Sequence, residues 1–146
     1  MDALAVVIHA PEQLEVRRLA LTPPGPGQVV VEVEWSGIST GTERLLWSGR
    51  MPPFPGFGYP LVPGYESVGR VVQGEPTSAF GIGDRVFVPG ASCFGEVRGL
   101  FGGAASHLVV PAARVVPLAD HLAEQGVLLA LAATAQHALV GGDGRP

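Results

Sequence analysis

The chain contains a single cysteine, Cys93. No intramolecular disulfide can form, and a CxxC zinc site is excluded. Charge is sparse as well: 15% of the 146 residues are charged, and the net charge is −4. Nucleic-acid surfaces need clustered Lys and Arg against phosphate, and nine basic residues scattered along an acidic chain make no such patch. No apolar run reaches the roughly 18–20 residues that span a bilayer; the longest, 126–135, is about half that. Residues 1–3 lead into an apolar stretch with neither a basic start nor a cleavage site, so no signal peptide is read. These absences lead to the expectation of a soluble cytoplasmic protein with no transmembrane segment and no nucleic-acid partner.

What is present suits a packed, turn-rich domain. The length fits one domain, and 47% hydrophobic residues can build a core. Twenty-one Gly and 14 Pro favour turns and short strands over long helices. Residues 3–9 read as a strand with 14–19 as its hairpin partner. Residues 22–27, rich in Pro and Gly, are a turn, and 28–35 alternate Val with Glu as a half-wet strand. A short helix is expected over 41–47 with Thr40 or Thr42 as its cap. Residues 51–59 place aromatics between Pro and Gly in an irregular loop. Strands follow at 67–72 and 85–88, then a Gly-rich loop over 91–103, then short strands at 107–110 and 114–117. The segment 122–139 is mostly Ala and Leu and predicts one long helix buried on nearly all sides. The pattern predicts a mainly β (α+β) fold, a partly open β-barrel with short helices and one apolar helix at its C-terminal end.

Two stretches carry the chemistry: Ser-Gly-Ile-Ser-Thr-Gly-Thr-Glu at 36–43 and Pro-Gly-Tyr-Glu-Ser-Val-Gly-Arg-Val-Val at 63–72. With the flanking Pro-Gly-Pro-Gly-Gln-Val-Val turn and strand, Phe-Gly-Ile-Gly-Asp-Arg-Val-Phe-Val at 80–88 and Gly-Gly-Ala-Ala-Ser-His-Leu-Val-Val-Pro at 102–111, their order resembles the GroES-like half of medium-chain, zinc-type alcohol dehydrogenases. In that family the two motifs read G-[IV]-C-G-[ST]-D and G-H-E-x-x-G-x-V, and their Cys and His hold a catalytic zinc. Here Thr40 stands at the Cys position and Tyr65 at the His position, and neither is a good neutral zinc ligand. The resemblance thus implies the scaffold without its metal, and no zinc is expected. The run 51–66, with 88–94 and 98–104, is similar to a branch of the family that oxidises the hydroxyethyl side chain of a chlorin. That resemblance implies a bacteriochlorophyllide substrate and NAD as cofactor. The chain lacks a G-x-G-x-x-G turn, so the cofactor-binding half is expected beyond the 122–139 helix. The expected division is a catalytic and substrate domain over 1–121 and the start of the connecting helix over 122–146, with a homodimer left open.

Alcohol oxidation needs a proton to leave oxygen, a hydride to leave carbon, and donors to stabilise the alkoxide character between them. Thr42 matches the family residue that hydrogen-bonds the substrate hydroxyl; its other reading is a helix cap. Tyr65 donates to the substrate oxygen or serves as acid/base, or it simply fills the vacated metal pocket. Glu66 orients a neighbour or accepts a proton, or it pairs with a buried Arg. Glu43, at the family's Asp position, reads as a supporting residue. Trp47, Phe54, Phe57, Tyr59, Phe94 and Phe101 are candidates to line a slot for the flat macrocycle, or else loops packed on themselves. Arg50 or Arg98 is a candidate partner for a chlorin propionate. His9 and His137 read as structural. Two other functions compete: a zinc-free quinone or enone reductase of the same superfamily, and a non-catalytic tetrapyrrole-binding module.

Overall fold

The computed structural model describes residues 1–75, 77 and 79–141. The N-terminal hairpin forms as the alternation predicts: β1 (Asp2–Ala10) pairs antiparallel with β2 (Gln13–Ala20). β1 also pairs with β4 (Leu61–Val62), and β4 lies parallel to β7 (Arg98–Gly99), giving the sheet order β2-β1-β4-β7. The second sheet runs β8-β3-β5-β6-β9, from β3 (Gln28–Ser36), β5 (Ser67–Gln73), β6 (Arg85–Val88), β8 (His107–Pro111) and β9 (Val116–Pro117). All of its pairings are antiparallel. Two curved sheets facing one core make the half-open barrel that the Val-rich alternation implies, and among the described residues it does not close.

The main core draws Val7 and Leu19 together with Val30, Val86, Leu108 and Val110 from the opposite sheet. A second, smaller cluster matters more for the site. Ile8, Leu46 and Leu61 are fully buried, and Met51, Phe57, Tyr59 and Leu100 pack around them. Leu46 is the inward residue of α1 (Thr42–Trp47), so this cluster anchors both that helix and the aromatic loop after it. The Tyr59 hydroxyl donates to the Leu46 carbonyl and closes the loop over the helix end.

Two expectations are corrected. Helix α1 is N-capped by Gly41 without a side-chain hydrogen bond, so neither Thr40 nor Thr42 caps it. The backbone bond from Glu43 N to Ser39 O closes the first turn instead, leaving Thr42 free to point elsewhere. The long helix does not run over 122–139. A 3-10 segment, Asp120–Leu128, interrupted at Ala123 (φ 43°), precedes α2 (Leu129–Gly141). Gly126 lets the segment pack close to its neighbours: an added Cβ would come within 2.7 Å of Leu118 and 3.0 Å of Val68. Residues 131–140 are exposed rather than buried, because α2 extends away from both sheets. Residues 142–146 lie outside the described residues.

An ion-pair network ties the 3-10 segment to the second sheet. Arg85, 7% exposed, pairs with Glu34 at 3.0 Å and Asp120 at 3.3 Å and lies 5.2 Å over the Trp35 ring. Arg70 makes the same two pairings, at 3.2 and 3.0 Å. Four charges on four elements, β3, β5, β6 and the 3-10 segment, tie the chain to the sheet where it leaves the barrel.

Candidate active site

The two chemistry-bearing motifs meet because their strands are paired. Ser36 at the end of β3 registers with Ser67 at the start of β5. The ladder is extended one step further by Gly37 N donating to Glu66 O at 2.8 Å. Residues after β3 and before β5 therefore emerge side by side. Thr42, 23 positions from Tyr65 in sequence, places its Oγ1 3.4 Å from the Tyr65 hydroxyl. Both side chains are half-buried. Gly64, at φ +96°, supplies the turn that aims Tyr65, and its neighbours are pinned by Gly103 N to Gly64 O (2.7 Å) and Ala104 N to Pro63 O (2.9 Å). Phe101 stands edge-on to Tyr65, with centroids 5.2 Å apart at 75°, and fixes the phenol plane.

Each hydroxyl has a carboxylate next to it in the chain, Glu43 after Thr42 and Glu66 after Tyr65. Glu66 is 5% exposed and its Oε1 has no hydrogen-bond partner. Its carboxylate packs directly over Gly37, where a Cβ would collide with it. Neither an arginine nor any other cation pairs with it among the described residues, so the ion-pair reading of Glu66 does not hold. Glu43 Oε2 is likewise buried without a partner. Burial pushes the Glu43 carboxyl above its usual range, and the nearby Glu66 charge adds to the rise.

Phe101 stands against Tyr65, and the other five aromatic candidates divide into three groups. Trp47, beside Glu43, lines an apolar pocket of about 160 Å³ with Ile8, Leu14, Ile38 and Pro63. Phe54 stacks on Phe57 at 5.4 Å, and Phe57 meets Tyr59 edge-on at 5.5 Å; Phe57 and Tyr59 belong to the second core cluster. Phe94 is buried in the main core and bridges to Leu21. The faces open to solvent are those of Trp47, Phe54 and Phe101. Arg98 is engaged, donating to the Tyr59 carbonyl at 3.2 Å.

Sequence reasoning missed an open cavity of about 760 Å³ on the outer side of α1, lined by Thr40, Gly41, Arg44, Leu45, Ser48 and Arg50. Its residues were legible only as a helical face, since Thr40, Arg44 and Ser48 recur at i, i+4 and i+8 across the helix start.

The alcohol dehydrogenase GroES-like domain matches residues 25–120, which hold both motifs and every strand from β3 to β9. The chain belongs to the alcohol dehydrogenase GroES-like domain family. Within that family it is similar to the 2-desacetyl-2-hydroxyethyl bacteriochlorophyllide A dehydrogenases of Rhodobacter capsulatus and Cereibacter sphaeroides. Identity to the first is 56% over 144 residues (98% of this chain) and to the second 54% over 146 residues (97% of this chain). The chain spans 46% of each of these relatives, about half their length. A crystal structure of a short chain alcohol dehydrogenase from Escherichia coli CFT073, complexed with cofactor NADH, superimposes with a TM-score of 0.75 at 26% identity. That match covers 99% of this chain and 46% of the other.

Zinc-type members of the family imply a metal at this place, and the donor set here does not fit one. The two key positions carry a hydroxyl, Thr40, and a phenol, Tyr65. Zinc in proteins is held by thiolate, imidazole and carboxylate, usually four ligands in a tetrahedron. No group of three His, Cys, Asp or Glu among the described residues could hold a metal ion. Cys93 is buried in the main core, and burial pushes its thiol up, away from the thiolate a metal needs.

Proposed function

We propose that the whole protein is an NAD-dependent oxidoreductase of bacteriochlorophyll synthesis. It oxidises the C3 1-hydroxyethyl group of a bacteriochlorophyllide to acetyl, without catalytic zinc. The carrying observation is the Thr42–Tyr65 hydroxyl pair, 3.4 Å apart, where a zinc-type relative has metal chemistry. The similarity to two bacteriochlorophyllide dehydrogenases over nearly the whole chain supports the substrate. The fold shared with a dehydrogenase that binds NADH supports the nicotinamide.

In this reading the substrate hydroxyl donates to Thr42 Oγ1, and Thr42 donates in turn to the Tyr65 oxygen. The pair tightens when substrate closes the site, as long hydrogen bonds in unliganded enzymes do. Loss of the O–H proton along this pair accompanies loss of hydride from the carbinol carbon, leaving the C=O of the acetyl group. Bound nicotinamide supplies the hydride acceptor; this chain has no Gly-rich strand-to-helix turn for its pyrophosphate, and that half is proposed to follow α2. Glu66, next to Tyr65 in the chain and buried with Oε1 unpartnered, is the acceptor this reading assigns to the departing proton. Trp47, Phe54 and Phe101 offer aromatic faces to the macrocycle, while Phe57, Tyr59 and Phe94 hold the loops that carry them. The protein is proposed to act in the cytoplasm; no described helix is long and apolar enough to cross a membrane.

The test is turnover. The whole enzyme is incubated with 3-(1-hydroxyethyl) bacteriochlorophyllide a and NAD⁺, and the product is followed by its red-most absorbance band and by mass. The expected product is the acetyl chlorin, lighter by two hydrogens. Failure on the chlorin with NADPH-dependent reduction of quinones or enones would move the protein to the reductase reading.

A further inference from the structure

The cavity beside α1 carries a charge pattern that the reaction itself does not use. All nine basic residues of this acidic chain are arginines. Among the described residues Arg17, Arg70 and Arg85 are committed to ion pairs, and Arg98 to the Tyr59 carbonyl. Arg44 and Arg50 make neither an ion pair nor a side-chain hydrogen bond among the described residues, and both line the same cavity. No carboxylate lines it; the hydroxyls of Thr40 and Ser48 complete its polar edge. Unpaired arginines lining one concave, carboxylate-free surface of a net negative protein concentrate anions there. Their positions are fixed from behind. Backbone bonds from Ser48 N to Arg44 O (3.0 Å) and from Arg50 N to Leu45 O (3.0 Å) hold the helix end and the turn, and Leu46 anchors both in the second core cluster.

We propose that Arg44 and Arg50 form an anion subsite that takes a carboxylate carried by the substrate at a distance from the reacting alcohol. This rests on the chlorin reading of the function, because a bacteriochlorophyllide bears a free propionic acid side chain far from its hydroxyethyl group. The cavity shares Thr40 and Gly41 with the loop that leads into Thr42, so one short segment connects the anion subsite to the reacting pair. Guanidinium recognises carboxylate with two parallel N–H···O contacts, a geometry that a neutral ester cannot repay. The subsite therefore spends remote binding energy on orienting a rigid ring. It also selects the acid over any esterified chlorin.

The experiment uses the whole enzyme and two probes, 3-(1-hydroxyethyl) bacteriochlorophyllide a as the free acid and as its methyl ester. Wild type is expected to show a KM about tenfold to a hundredfold lower for the acid, the range of one or two charge-assisted contacts. Arg44→Gln and Arg50→Gln raise KM for the acid towards that of the ester while kcat changes little. Lys at either position restores part of the preference. Equal KM values for acid and ester in wild type overturn the subsite. A KM rise in the variants for NAD⁺ alone, with the acid preference intact, also overturns it and assigns the arginines to a cofactor phosphate. Oxidation of neither probe is a different outcome: it rejects the chlorin function itself, and the subsite with it.

Discussion

The Thr42 side-chain oxygen lies 3.4 Å from the Tyr65 hydroxyl, across 23 residues of sequence, because β3 and β5 pair in a register that releases the two loops side by side. A hydroxyl pair of this kind can pass a proton while each member stays neutral. In the whole enzyme, Thr42→Ala is expected to lower kcat about tenfold to a thousandfold with chlorin binding retained, as for loss of a contact made in the transition state. Tyr65→Phe keeps the Phe101 edge contact and removes only the oxygen, so its loss should be similar. The double variant should fall little further than either single one, since both remove the same relay. Full additivity would show that the two hydroxyls act separately.

Glu43 offers a pH test. Its carboxyl is held above the usual range by burial first, and by Glu66 next. A raised folded-state value means that the folded protein favours the protonated form. The stability this contributes is full at pH below the ordinary glutamate range and is lost as pH rises through the raised value. Glu43→Gln mimics the protonated form. The variant should match wild type in acid and exceed it in thermal stability at neutral pH, read as a Tm difference that grows upward from the ordinary glutamate range. A Tm difference that is flat across pH would remove the buried-charge explanation.

Seven of the nine described strands were legible because Val alternation between Gly- and Pro-rich turns leaves one side wet. The two-residue strands β4 and β7 are too short to show a period, and β7 falls in the stretch read as a Gly-rich loop. The Thr42 and Tyr65 positions were legible from two motifs, but not their contact, which depends on a strand register that no local pattern displays. The capping expectation failed because the first turn of α1 is closed by Ser39 O, a backbone acceptor invisible to side-chain patterns. The 122–139 helix was misjudged because composition reports hydrophobicity but not which surface covers it. The 3-10 segment breaks at Ala123, and Gly126 packs closely between Leu118 and Val68, neither of which a sequence rich in Ala and Leu reveals. Arg44 escaped notice because a single arginine on a helix looks like an ordinary solvated charge until the cavity beside it is seen.

Gly64 is where backbone and site meet. It sits at φ +96°, and an added Cβ would lie 2.8 Å from Ala104 N. Gly64→Ala faces both a strained dihedral and a clash with backbone that cannot yield. We expect a loss of about 2–4 kcal/mol in unfolding free energy, measured by denaturant titration. Gly81→Ala, with open space around its Cβ and an ordinary φ, is the control and should cost under about 1 kcal/mol. Comparable losses at the two sites would refute the clash.

The hydroxyl of Thr40 and the phenol of Tyr65, which do not fit zinc, make a direct analytical prediction. The whole enzyme, purified without chelators and analysed by plasma mass spectrometry, should hold no stoichiometric zinc. Its turnover should survive prolonged dialysis against a strong chelator. One zinc per chain, lost together with activity, would mean that donors other than these two positions assemble a site.

Helix α2 makes the last prediction. Leu131 is 55% exposed, Leu139 74% and Val140 65%, and every residue from 131 to 140 is open to solvent. Contiguous apolar surface of this kind drives association. The 146-residue chain on its own should form concentration-dependent oligomers, seen by light scattering, and should bind an environment-sensitive dye. Leu131→Lys combined with Leu139→Lys removes apolar surface without breaking a core contact, because neither side chain is buried in the chain. The variant should keep its thermal unfolding midpoint while becoming monomeric and dye-silent. If it stays oligomeric, association runs through another face, and the exposed strip of Leu4, Leu14 and Val16 on the N-terminal hairpin is the next surface to charge.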